Sequence, residues 1–520
     1  MRSLALGLVL ASAALAPEAS AQLSLDRIGG TLGSLLRYEI DGGAPFAAYV
    51  LIPSGNTGPL PIASFDPTDT RELEVGLDLF SYWVIGGLDG NGDAVVNFVL
   101  PSTPALAGGV IHAQCISLPG ATTLVDEISN RAAFRLSSTA GSTYTVEDAP
   151  LGLNGHTATA IPGGDALLVG GVARDAAGFD QGEGNVLRYD RELGSFRVLP
   201  NGLTTPRSAH TATLLPDRSV LIIGGTDAAG NPTASVERIN STTGATIATS
   251  TMDTPRVFHT ATLLPGNKVL VTGGTSSIDF SDPLAALGQV LQSTRVYDVA
   301  SNTWSNGPNL PQRRIGHRAT ALADGRVLVT GGLAVTIFLG LPLPSFSNDA
   351  RRYDPVTNSF SAAGTFSSGR AFHAQARLDD GRVMLVGGAD GDVLTQTFAS
   401  RADSRIYDPI ANSWSNGPSI SQARAYGELV IAPGRRPTLI GGLATVDVTT
   451  TSGAPADAIE YLDAAGTSWV TAGVQLMARP IAPVVVTDPG LHPRALTTGE
   501  ALSALGGATD LTAETFVLPQ

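Results

Sequence analysis

Histidine is the first residue type in this chain whose spacing suggests chemistry, because the neutral imidazole binds metals and transfers protons. Five of the seven histidines stand at one position of a repeated pattern. Metal ligands must all lie roughly 2 Å from one ion, whereas residues at the same position of successive repeats are a whole repeat apart. The spacing therefore favours a structural role, and we predict no metal site. The five residues are His156, His210, His259, His317 and His373.

Arginine stands three residues before most of these positions. Guanidinium groups bind carboxylate and sulfate groups through paired hydrogen bonds, so a ring of arginines at a channel mouth would suit an anionic ligand. The alternative is that each arginine bonds a loop carbonyl or a neighbouring carboxylate, because repeated residues tend to serve the scaffold. The candidate ligand-binding arginines are Arg207, Arg256, Arg314, Arg370, Arg424 and Arg479.

The sequence carries no other signature of catalysis. It contains no nucleophile elbow, phosphate loop or zinc motif, so we predict no catalytic residue and no cofactor. Cys115 is the single cysteine, which rules out an internal disulfide and favours a small buried residue. Residues 89–93 resemble the start of a calcium loop, but Ala94 and Leu100 replace the required Gly and Glu. We interpret the segment as a hairpin turn.

The chain contains a sequence repeat in which an apolar strand ends at a pair of glycines. A period of about 50 residues is typical of repeat architectures. Each repeat begins with Arg-x-x-His, continues through a tight turn and the apolar strand, and then holds a Tyr-Asp strand and a short strand that opens on an aromatic residue. Tyr297-Asp298 and Trp304 show this best. The pairs begin at Gly170, Gly224, Gly273, Gly331, Gly387, Gly441 and Gly506.

This combination of motifs resembles the kelch-repeat β-propeller family, which includes propellers of the galactose oxidase type. The resemblance implies that each repeat is one four-stranded blade. The predicted fold is all-β, a seven-bladed kelch-type β-propeller preceded by a small antiparallel β-sandwich. The copper chemistry of galactose oxidase-like enzymes requires a cysteine crosslinked to a tyrosine. Cys115 lies outside the repeats, so we do not expect that chemistry.

The chain divides into three predicted segments. Residues 1–21 have the charged start, short apolar core and small-residue cleavage site of a signal peptide ending at Ala21, which predicts a secreted, periplasmic or cell-surface protein. Residues 22–140 are predicted to form the β-sandwich. The stretch from Leu100 to Gln114, followed by Ser129-Asn130, resembles accessory modules of secreted bacterial proteins. Residues 141–520 are predicted to form the propeller. Because the last repeat offers three strands, we expect residues 143–149 to close a seven-bladed ring; a six-bladed ring with a degenerate tail is the alternative.

Charge and hydropathy limit the partners. The net charge of −14 and the pI of about 4.9 argue against nucleic acid, whose phosphates require a basic surface. No stretch after the signal peptide is long enough to span a membrane. We expect a monomer.

Function is expected in the parts that do not repeat. The inserts at residues 275–293, 333–349, 389–403 and 443–457 follow the glycine pairs, on the side where the arginines begin the first strands. Residues 334–342 are apolar for a loop, which makes Phe338 a candidate contact residue. We predict that this face binds a protein or carbohydrate ligand. The alternative is a carbohydrate-active enzyme, a sugar mutarotase or oxidase, with its site at the channel mouth; enzyme status stays open, with a binding role favoured.

Overall fold

The chain forms two compact units, Met1–Leu136 and Ser137–Gln520. They are seen in a computed structural model that covers most of the chain in segments. Within the described residues, no helix has the length and apolar character needed to cross a membrane. The described residues are 23–28, 35–41, 43–56, 60–64, 67–76, 79, 82–103, 106, 110–118, 124–129, 132–135, 143–145, 155–174, 180–182, 184–190, 195–279, 282–393, 397–432, 434–445, 454–456, 458–474, 484–487, 494–497 and 514–517.

The first unit contains two antiparallel sheets, ordered β1-β2-β7 and β6-β3-β8-β9, and a short β4-β5 pair. Leu25, Tyr38 and Ile40 of one sheet share a buried core with Leu51 and Cys115 of the other. Cys115 is fully buried, as predicted, and burial raises the pKa of its thiol to about 12. The strands are β1 Ser24–Ile28, β2 Leu35–Asp41, β3 Ala48–Ser54, β4 Leu60–Pro61, β5 Glu72–Leu73, β6 Val84–Gly87, β7 Ala94–Val99, β8 Val110–Leu118 and β9 Ala132–Arg135, with a 3₁₀ turn at Ile62–Ser64.

The turn at residues 89–93 differs from its prediction. It joins β6 to β7, which belong to different sheets, so it is a corner between sheets and the hairpin interpretation is wrong. The Asp89 carboxylate accepts hydrogen bonds from the backbone N–H groups of Asn91 and Asp93, at 2.8 and 3.0 Å. These bonds hold the corner and hold the pKa of Asp89 below its ordinary value.

The second unit is built almost entirely of strands, with one short helix, α1 Pro283–Gly288, among its described residues. The strands are β10 Thr143–Thr145, β11 Thr157–Ala160, β12 Ala166–Val169, β13 Val172–Arg174, β14 Asp180–Gly182, β15 Val186–Asp190, β16 Ser195–Val198, β17 Thr211–Leu214, β18 Ser219–Ile223, β19 Ser235–Asn240, β20 Thr246–Thr251, β21 Thr260–Leu264, β22 Lys268–Thr272, β23 Thr294–Asp298, β24 Thr303–Asn306, β25 Arg313–Ile315, β26 Arg318–Ala321, β27 Val327–Thr330, β28 Leu333–Phe338, β29 Leu341–Phe346, β30 Asp349–Asp354, β31 Ser359–Thr365, β32 Ala374–Arg377, β33 Val383–Val386, β34 Ala389–Asp392, β35 Thr397–Ser400, β36 Ser404–Asp408, β37 Ser413–Gly417, β38 Glu428–Val430, β39 Thr438–Ile440, β40 Ala458–Leu462, β41 Trp469–Val474, β42 Val484–Thr487, β43 Arg494–Thr497 and β44 Glu514–Val517.

These strands form seven four-stranded antiparallel sheets within the described residues of this unit. We number the repeats by their sheets. Repeats one to six are β11-β12-β15-β16, β17-β18-β19-β20, β21-β22-β23-β24, β26-β27-β30-β31, β32-β33-β36-β37 and β38-β39-β40-β41, and repeat seven is β42-β43-β44 with β10. The second strands, such as β18 and β27, are buried along their whole length. They lie between two strands and two neighbouring sheets, which explains their continuous runs of Val, Leu and Ile.

The glycine pairs let consecutive repeats approach each other. Gly224 and Gly225 have φ angles of 58° and 91°, a region that glycine enters at little cost. A Cβ on Gly224 would lie 2.5 Å from the carbonyl oxygen of Arg256 in the next repeat. The N–H of Gly225 donates to that same oxygen at 2.9 Å. The pair therefore forms a backbone joint between repeats.

The aromatic residues of the repeat pack the sheets together. Tyr297 and Trp304 lie with ring centroids 4.9 Å apart, and Tyr407 and Trp414 repeat this contact at 5.1 Å. Each indole also reaches back to the preceding repeat: Trp304 donates to the Ser250 hydroxyl at 3.0 Å, and Trp414 donates to a backbone carbonyl at 2.7 Å. One repeat alone could not bury these rings.

The last repeat contains a strand from the start of the unit. β10 pairs antiparallel with β44, so residues 143–145 and 514–517 lie in one sheet. The first strands β11, β17, β21, β26, β32, β38 and β42 contact one another in order, and β42 contacts β11. A ring closed by residues 143–149 requires these pairings, although residues 146–149 lie outside the described residues.

The predicted position of the second strand in repeat seven is wrong. The second strand of repeat seven is β43, Arg494–Thr497, whereas the sequence pattern places it at residues 502–507. Gly506 and Gly507 lie outside the described residues. The pattern fails here because the sequence has no glycine pair directly after Thr497.

Candidate functional site

The inserts and the arginine motifs lie on one side of the repeats. The segment that carries each arginine forms a backbone bridge with residues just after the glycine pair of its own repeat, as in Ser208 with Thr226 and Ala371 with Ala389. In repeat four this bridge grows into the β25-β28 pairing. The inserts therefore leave the sheets beside the starts of the first strands.

The five described arginines lie inside the repeats. Each guanidinium donates to the carbonyl of the first glycine in the pair of its own repeat; Arg207 reaches Gly224 at 3.3 Å and Arg370 reaches Gly387 at 2.9 Å. Four of them also form ion pairs with an acidic residue on the third strand or at its start. These pairs are Arg207–Glu237 at 2.7 Å, Arg314–Asp349 at 3.0 Å, Arg370–Asp403 at 2.6 Å and Arg424–Glu460 at 2.6 Å.

Repeat three keeps the arginine but has no acidic partner at this position. Arg256 donates instead to the carbonyl and the hydroxyl of Ser293, both at 3.0 Å. Burial lowers the pKa of Arg256 to about 10, with a smaller contribution from Arg295.

This burial corrects the ligand-binding interpretation of the arginines. The side chains of Arg207, Arg256, Arg314, Arg370 and Arg424 are almost fully buried, so they do not form an open ring of cationic groups. Their geometry agrees with the alternative in the sequence analysis, bonding to loop carbonyls and neighbouring carboxylates. Arg479 lies outside the described residues.

The repeated histidines are also structural in their contacts. The imidazole Nε2 of His210 lies 2.9 Å from the Thr157 hydroxyl of the preceding repeat, and His259 and Thr211 make the same contact at 3.1 Å. Burial, together with the nearby arginines, lowers the pKa of His210, His259 and His317 to about 3. The histidines are thus neutral hydrogen-bonding joints between repeats. Among the described residues, no three His, Cys, Asp or Glu side chains group as metal ligands.

The insert of repeat four is a β-hairpin rather than a loop. β28 and β29 pair from Leu333–Phe346 to Phe338–Leu341, and Leu339-Gly340 closes the turn with φ angles of 49° and 81°. Two-residue turns of this kind favour Asn-Gly, so a leucine with positive φ is unusual. Its apolar residues are exposed: Phe338 by 60%, Leu339 by 87%, Leu341 by 65% and Leu343 by 45%.

A groove separates this hairpin from the insert of repeat five. Pro344, Ser345 and Phe346 line one wall, and residues 390–393 line the other, around a space of about 610 Å³. The ring of Phe346 also meets that of Phe398 edge-on, with centroids 5.9 Å apart. Asp390 on the second wall is paired with Arg401. The two inserts are therefore in contact through Phe346 and Phe398 and together line the groove.

Sequence reasoning missed a charged pair on the inner strands. Arg318 and Glu428 lie in repeats four and six, and their side chains meet at 2.6 Å across repeat five. The signal was a departure from the repeat: the residue after the histidine is threonine in the first three repeats and then Arg318, Ala374 and Glu428, with Gly427 in place of the sixth histidine.

Comparisons with known proteins show what the repeats are similar to. Residues 155–388 match the family model of the KLHDC2/KLHL20/DRC7 Kelch-repeats domain. Alpha-scruin of Limulus polyphemus is 26% identical over 184 residues, which cover 34% of this chain and 19% of that protein. The chain thus spans about a fifth of the length of this relative. A solved structure titled "Structure of YjhT" aligns with 14% identity and a TM-score of 0.45, covering 62% of this chain and 99% of that chain.

Proposed function

Because the chain belongs to the kelch-repeat family, we propose that it is a seven-bladed propeller that binds a protein partner through its insert face. Kelch propellers generally bind proteins. The observation that carries the proposal for this chain is the exposed apolar hairpin of repeat four. We propose that residues 143–149 close the ring and that the β-sandwich of residues 22–140 is a separate accessory domain.

The hairpin presents one apolar face to the outside. Phe338 and Leu341 are directly paired, and Leu343 lies two residues further along the same face. A contiguous exposed apolar patch on a protein surface commonly marks an interaction site. Burial of a Phe or Leu side chain contributes about 1.5–3 kcal/mol, so these residues could supply the centre of an interface.

The partner should contact side chains rather than add a strand. β29 is the edge of the β25-β28-β29 sheet, and edge strands can pair with another chain. Hydrogen-bonded and non-hydrogen-bonded pairs alternate along an antiparallel ladder, and the pair that closes a two-residue turn is hydrogen-bonded. Pro342 and Pro344 therefore occupy the positions whose N–H groups would point outward, and proline has no N–H. The free edge lacks these two donors.

Replacement of the hairpin's apolar residues tests the proposal. The variant Phe338→Ser/Leu341→Ser should lose the partners that the full wild-type chain captures, as measured by quantitative mass spectrometry of pull-downs from the source organism. Val356→Ser/Ile410→Ser is the matched control, because these residues are also strongly exposed but lie on turns outside the inserts. An unchanged partner profile for the hairpin variant would overturn the proposal.

Export is part of the proposed function. The support is the signal-peptide pattern of residues 1–21. Intact-mass measurement of the protein made in a host with a secretion pathway should show a chain that begins at Gln22. A cytoplasmic protein that retains Met1 or Arg2 would contradict this proposal.

A further inference from the structure

One position on the first strands, directly after the repeated histidine, holds a different type of residue in repeats four to six than in repeats one to three. The residue after the repeated histidine is Thr157, Thr211 and Thr260 in repeats one to three, and each threonine lies within hydrogen-bond distance of the histidine of the next repeat. Repeats four to six replace this threonine with Arg318, Ala374 and Glu428. Arg318 and Glu428 therefore do not serve the threonine–histidine contact that joins the first repeats.

Arg318 and Glu428 form an ion pair that passes over repeat five. Arg318 Nη2 lies 2.6 Å from Glu428 Oε1, and Arg318 Nε donates to the His373 carbonyl at 2.8 Å. Ala374 occupies the same position of repeat five, and its small side chain leaves room for the pair. The two charged side chains are 33% and 30% exposed. They lie on first strands, which contact one another in a closed cycle, so they face the space that those strands enclose.

Aromatic residues surround the entrance to this space. The residue before the repeated histidine is Gly155, Ala209 or Gly316 in three repeats, but Phe258 in repeat three, Phe372 in repeat five and Tyr426 at the matching position of repeat six. Phe372 and Tyr426 stack with centroids 4.4 Å apart and planes 19° apart. A Cβ on Gly316 would lie 2.5 Å from the Phe372 ring, so this ring covers repeat four two residues before Arg318.

These aromatic residues adopt a costly backbone conformation. Phe258, Phe372 and Tyr426 have φ angles of 56°, 56° and 59°, where each residue other than glycine costs about 1–3 kcal/mol. Glycine occupies the same position at lower cost in repeats one and four. Ala209 has a φ angle of 51° at this position in repeat two, so the conformation recurs with the repeat. What distinguishes repeats three, five and six is the aromatic side chain that each places there.

The combination of these groups selects a chemical class of ligand. A guanidinium offers only donors and a carboxylate only acceptors, and here they stand side by side with no net charge. An anion would be repelled by Glu428 and a cation by Arg318. A hydroxyl both donates and accepts, so neighbouring hydroxyls match the pair, and an aromatic rim can cover the apolar face of a ring. We infer that this end of the channel binds a neutral saccharide in contact with Arg318, Glu428 and Phe372.

This inference goes beyond protein binding by the hairpin, and the competing explanation is a purely structural brace between repeats four and six. A brace requires only that opposite charges meet. A saccharide site also requires the donor and the acceptor to stand in their present places. The reversed pair, Arg318→Glu/Glu428→Arg, keeps the attraction but exchanges these places, so it separates the two explanations.

Saturation-transfer NMR on the full chain provides the first test. The probes are glucose, galactose, N-acetylglucosamine, maltose and cellobiose, with glucuronic acid and glucosamine as charged comparisons. We expect at least one neutral sugar to bind more tightly than either charged one. No transfer from any neutral sugar, or tightest binding of a charged one, would overturn the inference.

Variants then locate the site. Three variants should each raise the dissociation constant of the bound sugar at least tenfold: Glu428→Gln, Phe372→Leu and the reversed pair. Arg326→Gln is the control, because it breaks an exposed ion pair in the turn at the other end of β26 and should leave binding unchanged. If Glu428→Gln does not fold, Phe372→Leu and the reversed pair still show whether the sugar binds at this site. Undiminished binding in these variants would refute the site, whereas Phe338→Ser/Leu341→Ser should bind sugar normally whatever its effect on protein partners.

Discussion

Acid should destabilise the second unit through its buried histidines. In the folded protein, burial lowers the pKa of His210, His259 and His317 to about 3, and that of His373 also lies well below its ordinary value. The unfolded chain should titrate near pH 6.5. Above pH 6.5 both states are neutral and the histidines cost nothing. As the pH falls below 6.5, the unfolded state binds protons that the folded state excludes, so stability falls.

The magnitude follows from the difference between the two pKa values. At pH 5.5, one unit below the unfolded pKa, each histidine costs about 1.4 kcal/mol of unfolding free energy. The four histidines together should cost about 5 kcal/mol between pH 7.5 and pH 5.5. The Asp403 carboxylate contributes little in this range, because its arginine partners hold its pKa below its ordinary value despite burial.

Urea unfolding, followed by tryptophan fluorescence at pH 7.5, 6.5 and 5.5, measures this effect. His317→Gln should reduce the pH dependence by about a quarter, because one of the four titrating groups is gone. Thr211→Val removes the hydroxyl 3.1 Å from His259 without removing a titrating group, so it should lower stability by about 1 kcal/mol at every pH. An unfolding free energy that stays flat from pH 7.5 to 5.5, or a slope that His317→Gln leaves unchanged, would refute the reasoning.

Three further predictions concern the scaffold. Arg424→Ala leaves Glu460 buried and unpaired and should cost about 3–5 kcal/mol of unfolding free energy, whereas Arg382→Ala in an exposed turn pair should cost less than about 1 kcal/mol; equal losses in thermal unfolding would contradict this. Gly224→Ala places a Cβ 2.5 Å from a carbonyl oxygen and should cost more than about 3 kcal/mol; Gly163→Ala has open space and should cost about 1 kcal/mol. Cys115 should react with a thiol reagent only when urea unfolds the first unit, because its thiol is buried; rapid labelling of the native protein would disprove the burial.

The sequence predicted the features that recur with the repeat. Gly224-Gly225 and Trp304 could be recognised because each repeat must bury the same surfaces against the next one. The pattern failed at repeat seven, where the second strand ends at Thr497 and the Gly506-Gly507 pair comes only later in the sequence. A pair of glycines alone is thus a weaker signal than its place after a strand.

Other features depend on which repeats meet in space. The contact of Arg318 with Glu428 joins positions 110 residues apart, so no local pattern could pair them. The sequence leaves the role of Arg207 open between a ligand and a neighbouring carboxylate, because its partner Glu237 lies on the third strand and not in the arginine motif. Phe338 was singled out by its apolar surroundings, but the hairpin that exposes it depends on the pairing of β28 with β29.

The pairing of β10 with β44 has a consequence for how this unit comes apart. It fastens the two ends of the unit to each other, and closing a loop of this length costs chain entropy on the order of 5 kcal/mol once, at assembly. A linear stack of repeats can peel open from its terminal repeats, one after another. Here the terminal strands are held within a sheet, so peeling must begin by separating β10 from β44. Resistance to slow proteolysis should therefore depend on the pairing of residues 143–145 with β44.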